Sequence, residues 1–531
     1  MSSAQPQLYR QETDVSKSDI GTIDGEKGNY DHRETLKVPD TIAEMDEDTG
    51  GNVGIAEYER SKQMAEITPA QNKAILRRID WFILPLFLMT QTLQYLDKTA
   101  LNYAKVFGME KAMGLHGQQF STAASIFYVG YLVAQAPWAY LIGRFPAGRV
   151  LGVSTLIWGV CVITMVENKN YTHVLVSRFF LGVFESSVTP GLSLMTGFWY
   201  TREESPLRQT IWYSAIGWGG MIGALMAAGI QGLGDDPVPR WKLIFYILGA
   251  ITIAWAFVLW FFLADGPSNA KWLKAEYRSL AVARVAKNGT GIKTTTFNVR
   301  QGLSALYDIK AWMLSLAMFG SSVPNGILTN FSGPIIKGLG FSTLNAALLD
   351  CAGRSLQVIS LLIAGILATK FKNNRIIMVT IGNLICVLGS GLMAFLPYEK
   401  SYTWPRLIGF WLINCQSIGF TLGLVMISSN FGSYSKRSVT STMVFICYCA
   451  GNAAGPSFVY ENQAPQYPSA AQAMLGGYVG KTICHCILGA YMWYENKRRN
   501  RVYGEPDPVL AADNGMKGMT EIENIHFRYV L

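Results

Sequence analysis

Ionisable side chains are uncommon inside the long apolar stretches of this 531-residue sequence, and six of them are the first candidates for chemistry. They form three pairs along the chain, which are Asp97 with Lys98, Arg178 with Glu185, and Asp350 with Arg354. A charged group is costly in hydrocarbon, and where one occurs it usually faces a cavity or a partner. These pairs are therefore the sequence's candidates for binding a solute or moving a proton.

Lys98 is a candidate for binding a substrate carboxylate, because its ammonium group is a compact point charge. Its neighbour Asp97 is a candidate for proton coupling. The alternative is that Asp97 neutralises Lys98 near the membrane interface and that both residues are structural.

Arg178 and Glu185 are seven residues apart, so on a helix they share one face. A carboxyl group in a partly dry cavity can take up a proton on one side of a membrane and release it on the other. Glu185 is therefore a candidate for proton coupling, and Arg178 for substrate binding. The alternative is a structural ion pair between Glu185 and some cation.

Asp350 and Arg354 are four residues apart, a spacing at which opposite charges on a helix meet. One interpretation is that they only neutralise each other. The other is that Arg354 holds a second carboxylate of the substrate, with Asp350 taking part in proton coupling.

Three neutral polar residues are further candidates for substrate binding. Tyr448 and Asn452 share a helix face and lie just before Gly455-Pro456, which should loosen the helix. Gln135 lies in a similar apolar setting earlier in the chain. Polar side chains in such places either bind solute or bond a neighbouring helix.

The stretches that carry these residues predict an all-α membrane protein. Only 15% of the residues are charged, whereas a soluble domain holds about a quarter. Twelve stretches are long and apolar enough to cross a bilayer. They lie near 80–101, 120–141, 149–166, 172–197, 209–231, 241–263, 311–332, 345–368, 375–396, 405–428, 437–460 and 474–494.

These stretches predict two six-helix bundles with polar segments around them. The predicted organisation is a disordered cytoplasmic tail at 1–70, an N-terminal bundle at 71–263, a cytoplasmic loop at 264–310, a C-terminal bundle at 311–495 and a cytoplasmic tail at 496–531. Lys and Arg concentrate in alternate loops, which places both termini in the cytoplasm. The net charge of +9 therefore reflects helix orientation, and nucleic-acid binding is excluded.

Two local patterns resemble known sites but do not fit them. Gly476-Gly-Tyr-Val-Gly-Lys-Thr482 is similar to a phosphate-binding loop, but its first glycine is one residue too close and no strand precedes it. The cysteines around His485 suggest a metal site, but residues two apart on a helix point to opposite faces. We therefore predict no metal, no cofactor and no enzymatic activity.

Several longer motifs resemble one known family along nearly the whole apolar region. They are Tyr95-Leu-Asp-Lys-Thr-Ala-Leu-Asn-Tyr-Ala104, Arg178-Phe-Phe-Leu-Gly-Val-Phe-Glu185, Phe198-Trp-Tyr-Thr-Arg-Glu-Glu204, Ile335-Ile-Lys-Gly-Leu-Gly-Phe-Ser342, Cys449-Ala-Gly-Asn-Ala-Ala-Gly-Pro456 and Phe527-Arg-Tyr-Val-Leu531. In this order they resemble the fungal allantoate permease family, in the anion:cation symporter branch of the major facilitator superfamily.

The resemblance implies the major facilitator fold and proton-coupled uptake of a small organic anion. The implied solutes are allantoate and other ureido acids, vitamin carboxylates, sulfur amino acids or small peptides. The chain departs from the family at Asp350-Cys-Ala-Gly-Arg354, where a proline-containing segment is expected, so the resemblance does not fix the solute. Four arginines resemble the superfamily's gating charges, although they also fit simple anchoring at the inner surface: Arg144, Arg149, Arg202 and Arg208.

The expectation is a monomeric, multi-pass transporter, with the plasma membrane as its location. Its partners would be the organic anion, protons and the lipid bilayer. Two alternatives remain open, which are an uncoupled facilitator or exporter and a nutrient sensor that keeps a transporter fold.

Overall fold

The computed structural model describes residues 52–53, 68–116, 119–232, 238–286, 293–294, 297–341, 343–371, 373–460, 463 and 466–531. The predicted disordered tail at 1–70 lies almost entirely outside these residues. Within them, each of the twelve predicted spans contains helix, which confirms the all-α fold. We number these spans 1 to 12 along the chain.

The first half of the chain forms spans 1 to 6. Their helices are Pro69–Val106 in span 1, Gln119–Arg144 in span 2, Ala147–Thr164 in span 3, Tyr171–Glu185 and Val188–Trp199 in span 4, Ser205–Tyr213 and Ala215–Gln231 in span 5, and Arg240–Phe262 in span 6. Span 1 begins at Thr68, whose side chain and Gln71 form a capping box with Pro69 in the first turn.

The second half forms spans 7 to 12. Their helices are Ile309–Gly338 in span 7, Thr343–Lys370 in span 8, Arg375–Phe395 in span 9, Thr403–Ile413 and Gln416–Asn430 in span 10, Tyr434–Ala454 in span 11, and Pro468–Tyr503 in span 12. Shorter helices outside the spans are Met109–Ala112, Ala275–Ala286, Val299–Leu303 and Pro508–Met516. The strands Asn52–Val53 and Lys293–Thr294 pair in antiparallel fashion.

Six of the described helical segments are long and apolar enough, by length and composition alone, to cross a membrane. The remaining spans either carry more polar residues or are divided. Polar residues in a spanning helix are tolerated where they face other protein or a water-filled cavity. The less apolar spans therefore mark where the interior of the bundle is polar.

Spans 4, 5 and 10 are divided, whereas the sequence predicts continuous helices. At each division a short polar side chain bonds to backbone of the preceding turn. Ser186 Oγ donates to Val183 O, Ser214 Oγ to Ile211 O, and Asn414 Nδ2 to Phe410 O. Such local bonds compete with the helical ladder. The sequence prediction of one unbroken helix is wrong for these three spans for that reason, although their outer ends lie close to the predicted ones.

A glycine in span 11 allows two helices to approach closely. A Cβ atom at Gly451 would lie 2.7 Å from the backbone oxygen of Phe319 in span 7. Since real Cβ atoms do not come so close to backbone, a larger residue would force spans 7 and 11 apart. Small residues have this role in many membrane helix pairs.

Residues 517–531 pack against the bundle, and we call this end of the bundle the tail end. Glu521 is buried and lies 3.2 Å from Lys310 Nζ and 2.5 Å from Lys436 Nζ. Its other carboxylate oxygen accepts a bond from Gly432 N at 2.9 Å. Arg499 donates to three backbone oxygens of the same segment, including that of Glu521. The predicted C-terminal tail is thus an ordered part of the fold.

Glu521→Gln is expected to destabilise the protein by about 3 kcal/mol, because breaking a buried ion pair leaves an uncompensated charge. Asp308 would be the remaining carboxylate near Lys310 and Lys436. Burial favours the neutral form of Asp308, but the two lysines lower its pKa to about 2, so it stays ionised. Thermal unfolding of the purified protein measures the effect. The exposed Glu523→Gln is the control, and equal melting temperatures for the two variants would contradict the expectation.

Candidate functional site

A polar cavity lies between the two halves of the chain, near the middle of the bundle. The first half lines it with Gln91, Tyr95, Lys98, Tyr128, Thr189 and Tyr213. The second half lines it with polar residues that include Ser321, Asn325, Gln357, Gln416, Ser417 and Tyr448. Its volume is about 40 Å³, which is room for a few water molecules. An organic solute would therefore require the two halves to move apart.

The two halves contact each other on both sides of this cavity. Toward the tail end, the rings of Phe198 and Tyr434 are 6.2 Å apart. Toward the opposite end, Asn102 Nδ2 donates to the backbone oxygen of Thr329. In this structure the two halves are therefore held together on both sides of the cavity.

Lys98 is the charged side chain among the cavity's described lining residues, and Glu185 is its ion-pair partner. The Nζ atom of Lys98 lies 3.3 Å from Glu185 Oε1, and Glu185 is fully buried. The rings of Tyr131 and Tyr448 lie 5.2 and 5.9 Å from the same Nζ atom, close enough for cation–π attraction. Glu185 is the last residue of the first helix of span 4, and Gln94 donates to its backbone oxygen. The division in span 4 thus places this carboxylate behind Lys98.

Asp97 does not pair with Lys98. Its Oδ2 atom accepts a hydrogen bond of 2.9 Å from the indole of Trp158. Because successive helical residues point in different directions, Asp97 faces span 3 while Lys98 faces the cavity. The interpretation in which Asp97 neutralises Lys98 is therefore wrong.

Arg178 is buried one layer behind the cavity, as expected for a residue that shares a face with Glu185. Its guanidinium carbon lies 4.9 Å from the ring centre of Phe127. Its Nε and Nη1 atoms have no hydrogen-bond acceptor among the described residues. Arg178 therefore contributes positive charge near Glu185 without a direct ion pair.

Asp350 and Arg354 form the expected pair along span 8, with 3.5 Å between Asp350 Oδ2 and Arg354 Nε. The guanidinium group lies 5.5 Å from the ring centre of Tyr95, which lines the cavity. Arg354 itself is separated from the cavity by this ring. The geometry favours mutual neutralisation over direct contact with a solute.

The neutral candidates have different positions. Tyr448 lines the cavity. Asn452 lies behind the wall, where its Oδ1 atom accepts a bond from the cavity residue Asn325. Gln135 donates to the backbone oxygen of Ser186 at the division of span 4. Tyr448 is thus the one of these three that can touch a solute directly in this state.

The four arginines predicted to gate lie at the tail end, away from the cavity. Arg208 makes two bonds to Asp80, at 3.1 and 2.8 Å. Arg202 stacks on Phe527 at 4.2 Å, and its backbone oxygen accepts a bond from Arg375 in the other half. Arg144 and Arg149 are exposed, and their side chains make no ion pair within the described ranges.

Sequence reasoning missed most of the residues that line the cavity. Gln91, Asn325 and Gln416 are neutral, and neutral polar side chains in apolar stretches are too common to single out. Lys481 is the other omission: it is buried in span 12 beside Ser321. Its signal in the sequence is a charge in an apolar stretch, and the phosphate-loop pattern around it obscures that signal.

Comparison with known proteins gives the same architecture. The profile of the Major Facilitator Superfamily matches residues 87–456. An uncharacterized transporter of Schizosaccharomyces pombe is 36% identical, over 88% of this chain and 87% of its own length. The allantoate permease of Saccharomyces cerevisiae is 28% identical, over 89% of each chain. The solved structure of the proton:xylose symporter XylE superposes with a TM-score of 0.60 at 13% identity, covering 77% of this chain and 95% of that one.

Proposed function

The chain belongs to the Major Facilitator Superfamily, and on that premise we propose that this multi-pass membrane transporter takes up a small organic anion together with protons. The observation that carries the proposal is the buried ion pair between Lys98 and Glu185 at the wall of the central cavity. Alternating access to this cavity would move the solute across the membrane.

The ion pair provides a physical link between proton binding and anion binding. When Glu185 is ionised, it neutralises Lys98 and the cavity has little attraction for an anion. When Glu185 is protonated, Lys98 loses its counter-charge and can hold a carboxylate instead. Each ligand therefore favours binding of the other, as reciprocal coupling requires. Arg178 and Asp97 lie near this pair and would adjust how readily Glu185 takes up the proton.

Similarity to a permease for an organic anion supports an organic anion as the solute class. Allantoate is a ureido acid, and its permease is similar to this chain over 89% of both lengths. The cavity supplies amide and hydroxyl groups, such as those of Gln91, Asn325 and Gln416, that would bind the polar remainder of such a molecule. Vitamin carboxylates, sulfur amino acids and small peptides are the other members of the proposed class.

We propose that the tail end faces the cytoplasm. We also propose that the protein is a monomer in the plasma membrane. In this orientation Arg202 and Arg208 belong to the inner gate. Arg375 donates to the backbone oxygen of Arg202 and so joins the two halves at that end. Opening toward the cytoplasm would break this contact. Arg144 and Arg149 would then serve chiefly to anchor the inner surface.

Uptake measurements in cells that lack their own permeases test the proposal. Concentrative uptake of allantoate, nicotinate or a related acid is expected, and it should collapse when a protonophore dissipates the proton gradient. Uptake that only equilibrates the solute and is unaffected by the protonophore would indicate a facilitator, and net release would indicate an exporter. Signalling without any transport would indicate a sensor, so each of these results contradicts proton-coupled uptake.

Arg354→Lys is expected to change the KM of uptake by less than about twofold, since the lysine keeps the charge opposite Asp350 and Arg354 does not line the cavity. Loss of the planar guanidinium fork would matter only for a residue that holds a carboxylate by two bonds. A KM raised tenfold or more would show that Arg354 contacts the solute.

A further inference from the structure

Lys481 is a buried cation in the wall of the second half. Its side chain is almost fully buried within span 12. The Nζ atom donates to Ser321 Oγ and to the backbone oxygen of Gln416, each at 3.0 Å. Both acceptors are neutral, and within the described ranges Lys481 forms no ion pair. An ammonium group buried in a membrane protein without a carboxylate is costly and calls for a functional explanation.

The charges around Lys98 and the pair along span 8 are balanced. Asp97, Lys98, Arg178 and Glu185 carry two charges of each sign, and Asp350 offsets Arg354. Lys481 has no such partner, and the groups that face it do not supply one.

The groups around Lys481 are basic or neutral. His485, one turn further along span 12, is directed back at the Lys481 backbone oxygen and at Asn383. Span 7 presents Ser321, and span 10 presents Gln416 and Gly419. The interior of the second half therefore has an uncompensated positive charge.

Glycine in span 10 provides the space for this charge. A Cβ atom at Gly419 would lie 2.9 Å from Lys481 Nζ, too close for any larger residue at that position without a shift of the lysine. A small cavity of about 10 Å³ lies against Gly419, Gly423, Lys481 and His485, close to the space that one water molecule needs.

This small cavity adjoins the central one. Ser321 and Phe420 line both of them. The ammonium group of Lys481 is therefore one side chain behind the wall that a solute would touch. Its flexible four-carbon stem allows it to approach that wall when the halves move apart.

We propose that Lys481 and Ser321 form a second anion-binding position, opposite Lys98, and that the transported molecule carries two acidic groups. This inference rests on the proposed function for the first of these groups, which Lys98 holds. With Glu185 protonated, Lys98 and Lys481 together present two uncompensated charges to the space between them, which a dicarboxylate dianion would neutralise. A monoanion would leave one of the charges unmatched.

A matched set of acids tests this without any variant. Purified full-length protein would be titrated with succinate, glutarate and adipate, and with the half-amide of each, while thermal stability or tryptophan fluorescence reports binding. Each half-amide keeps the shape of its diacid but lacks one charge. The expected result is at least tenfold tighter binding of the best diacid than of its half-amide. Equal affinities would overturn the inference.

Variants test whether Lys481 and Ser321 cause the preference for the diacid. Lys481→Gln should abolish the preference for the diacid and leave half-amide binding within about twofold, and Ser321→Ala should reduce the preference. Lys337→Gln, which removes an exposed lysine from the same half, should retain it. The alternative is that Lys481 only supports the backbone near the division of span 10. In that case its replacement would change the thermal stability but not the preference for the diacid over its half-amide, and this result would overturn the inference.

The outcomes separate this inference from the proposed function. Binding of the half-amides that depends on Lys98, together with no effect at Lys481, would overturn only the second position. No binding of any of these acids would overturn the second position, while the uptake of allantoate or nicotinate tests the proposed function separately. Should Lys481→Gln fail to fold, the comparison of diacid and half-amide on the native protein remains decisive.

Discussion

Glu185→Gln is expected to abolish proton-driven accumulation of the solute while leaving exchange of solute across the membrane. Glutamine resembles a permanently protonated glutamate, so Lys98 would be free to bind the anion at any pH. Without a proton to release, the return step would no longer be tied to the gradient. Proteoliposomes with an imposed proton gradient should accumulate no more solute than passive equilibration allows, whereas counterflow of labelled solute should persist.

A matched control for this experiment is Glu167→Gln, which changes an exposed glutamate that follows span 3. That variant should accumulate solute as the native protein does. Concentrative uptake by Glu185→Gln at the native level would remove Glu185 from the coupling mechanism. Loss of exchange along with accumulation would mean that Glu185 is needed to bind the solute.

Lys98→Met is expected to lower kcat/KM for uptake by about 100-fold or more, equivalent to about 3 kcal/mol. The variant removes the charge that holds the carboxylate, so both uptake and exchange should fall. It also leaves Glu185 buried without its cation, which would destabilise the fold. Transport and thermal unfolding must therefore be measured on the same preparation.

A double variant distinguishes lost binding from lost folding. Lys98→Met combined with Glu185→Gln removes both charges, so thermal stability should return toward that of the native protein while transport stays absent. Lys105→Met is the control on the same helix, because Lys105 is exposed and pairs with Glu110 outside the cavity. Full transport by the double variant would exclude Lys98 as the anion-binding residue.

The sequence is sufficient to place the spans because the requirement for a run of apolar residues in hydrocarbon is strict. It also identifies Lys98 and Glu185, because charges in such runs are rare. The sequence does not show that Lys98 and Glu185 pair with each other. Their pairing depends on how helices from distant segments pack together. For the same reason Asp97, the neighbour of Lys98, was an equally reasonable partner from the sequence.

The divisions of spans 4, 5 and 10 could not be predicted for a different physical reason. Serine and asparagine occur in many unbroken membrane helices, and their bonds to backbone decide the geometry only in a particular surrounding. The tail beyond residue 496 is similar. Its polar composition predicts a tail outside the membrane but not the packing of that tail, because Glu521 is held by Lys310 and Lys436, which lie far away in sequence.

The position of the last residues has a practical consequence for anyone who labels this protein. Arg375 N donates to the backbone oxygen of Leu531 at 2.9 Å, and Asn430 bonds both the N–H and the carbonyl of Val530. A fluorescent reporter or affinity tag inserted next to Leu531 would begin inside this packed region and would disrupt the contacts with Arg375 and Asn430. A long spacer, or a label on an exposed loop, would leave the packing of the last residues undisturbed.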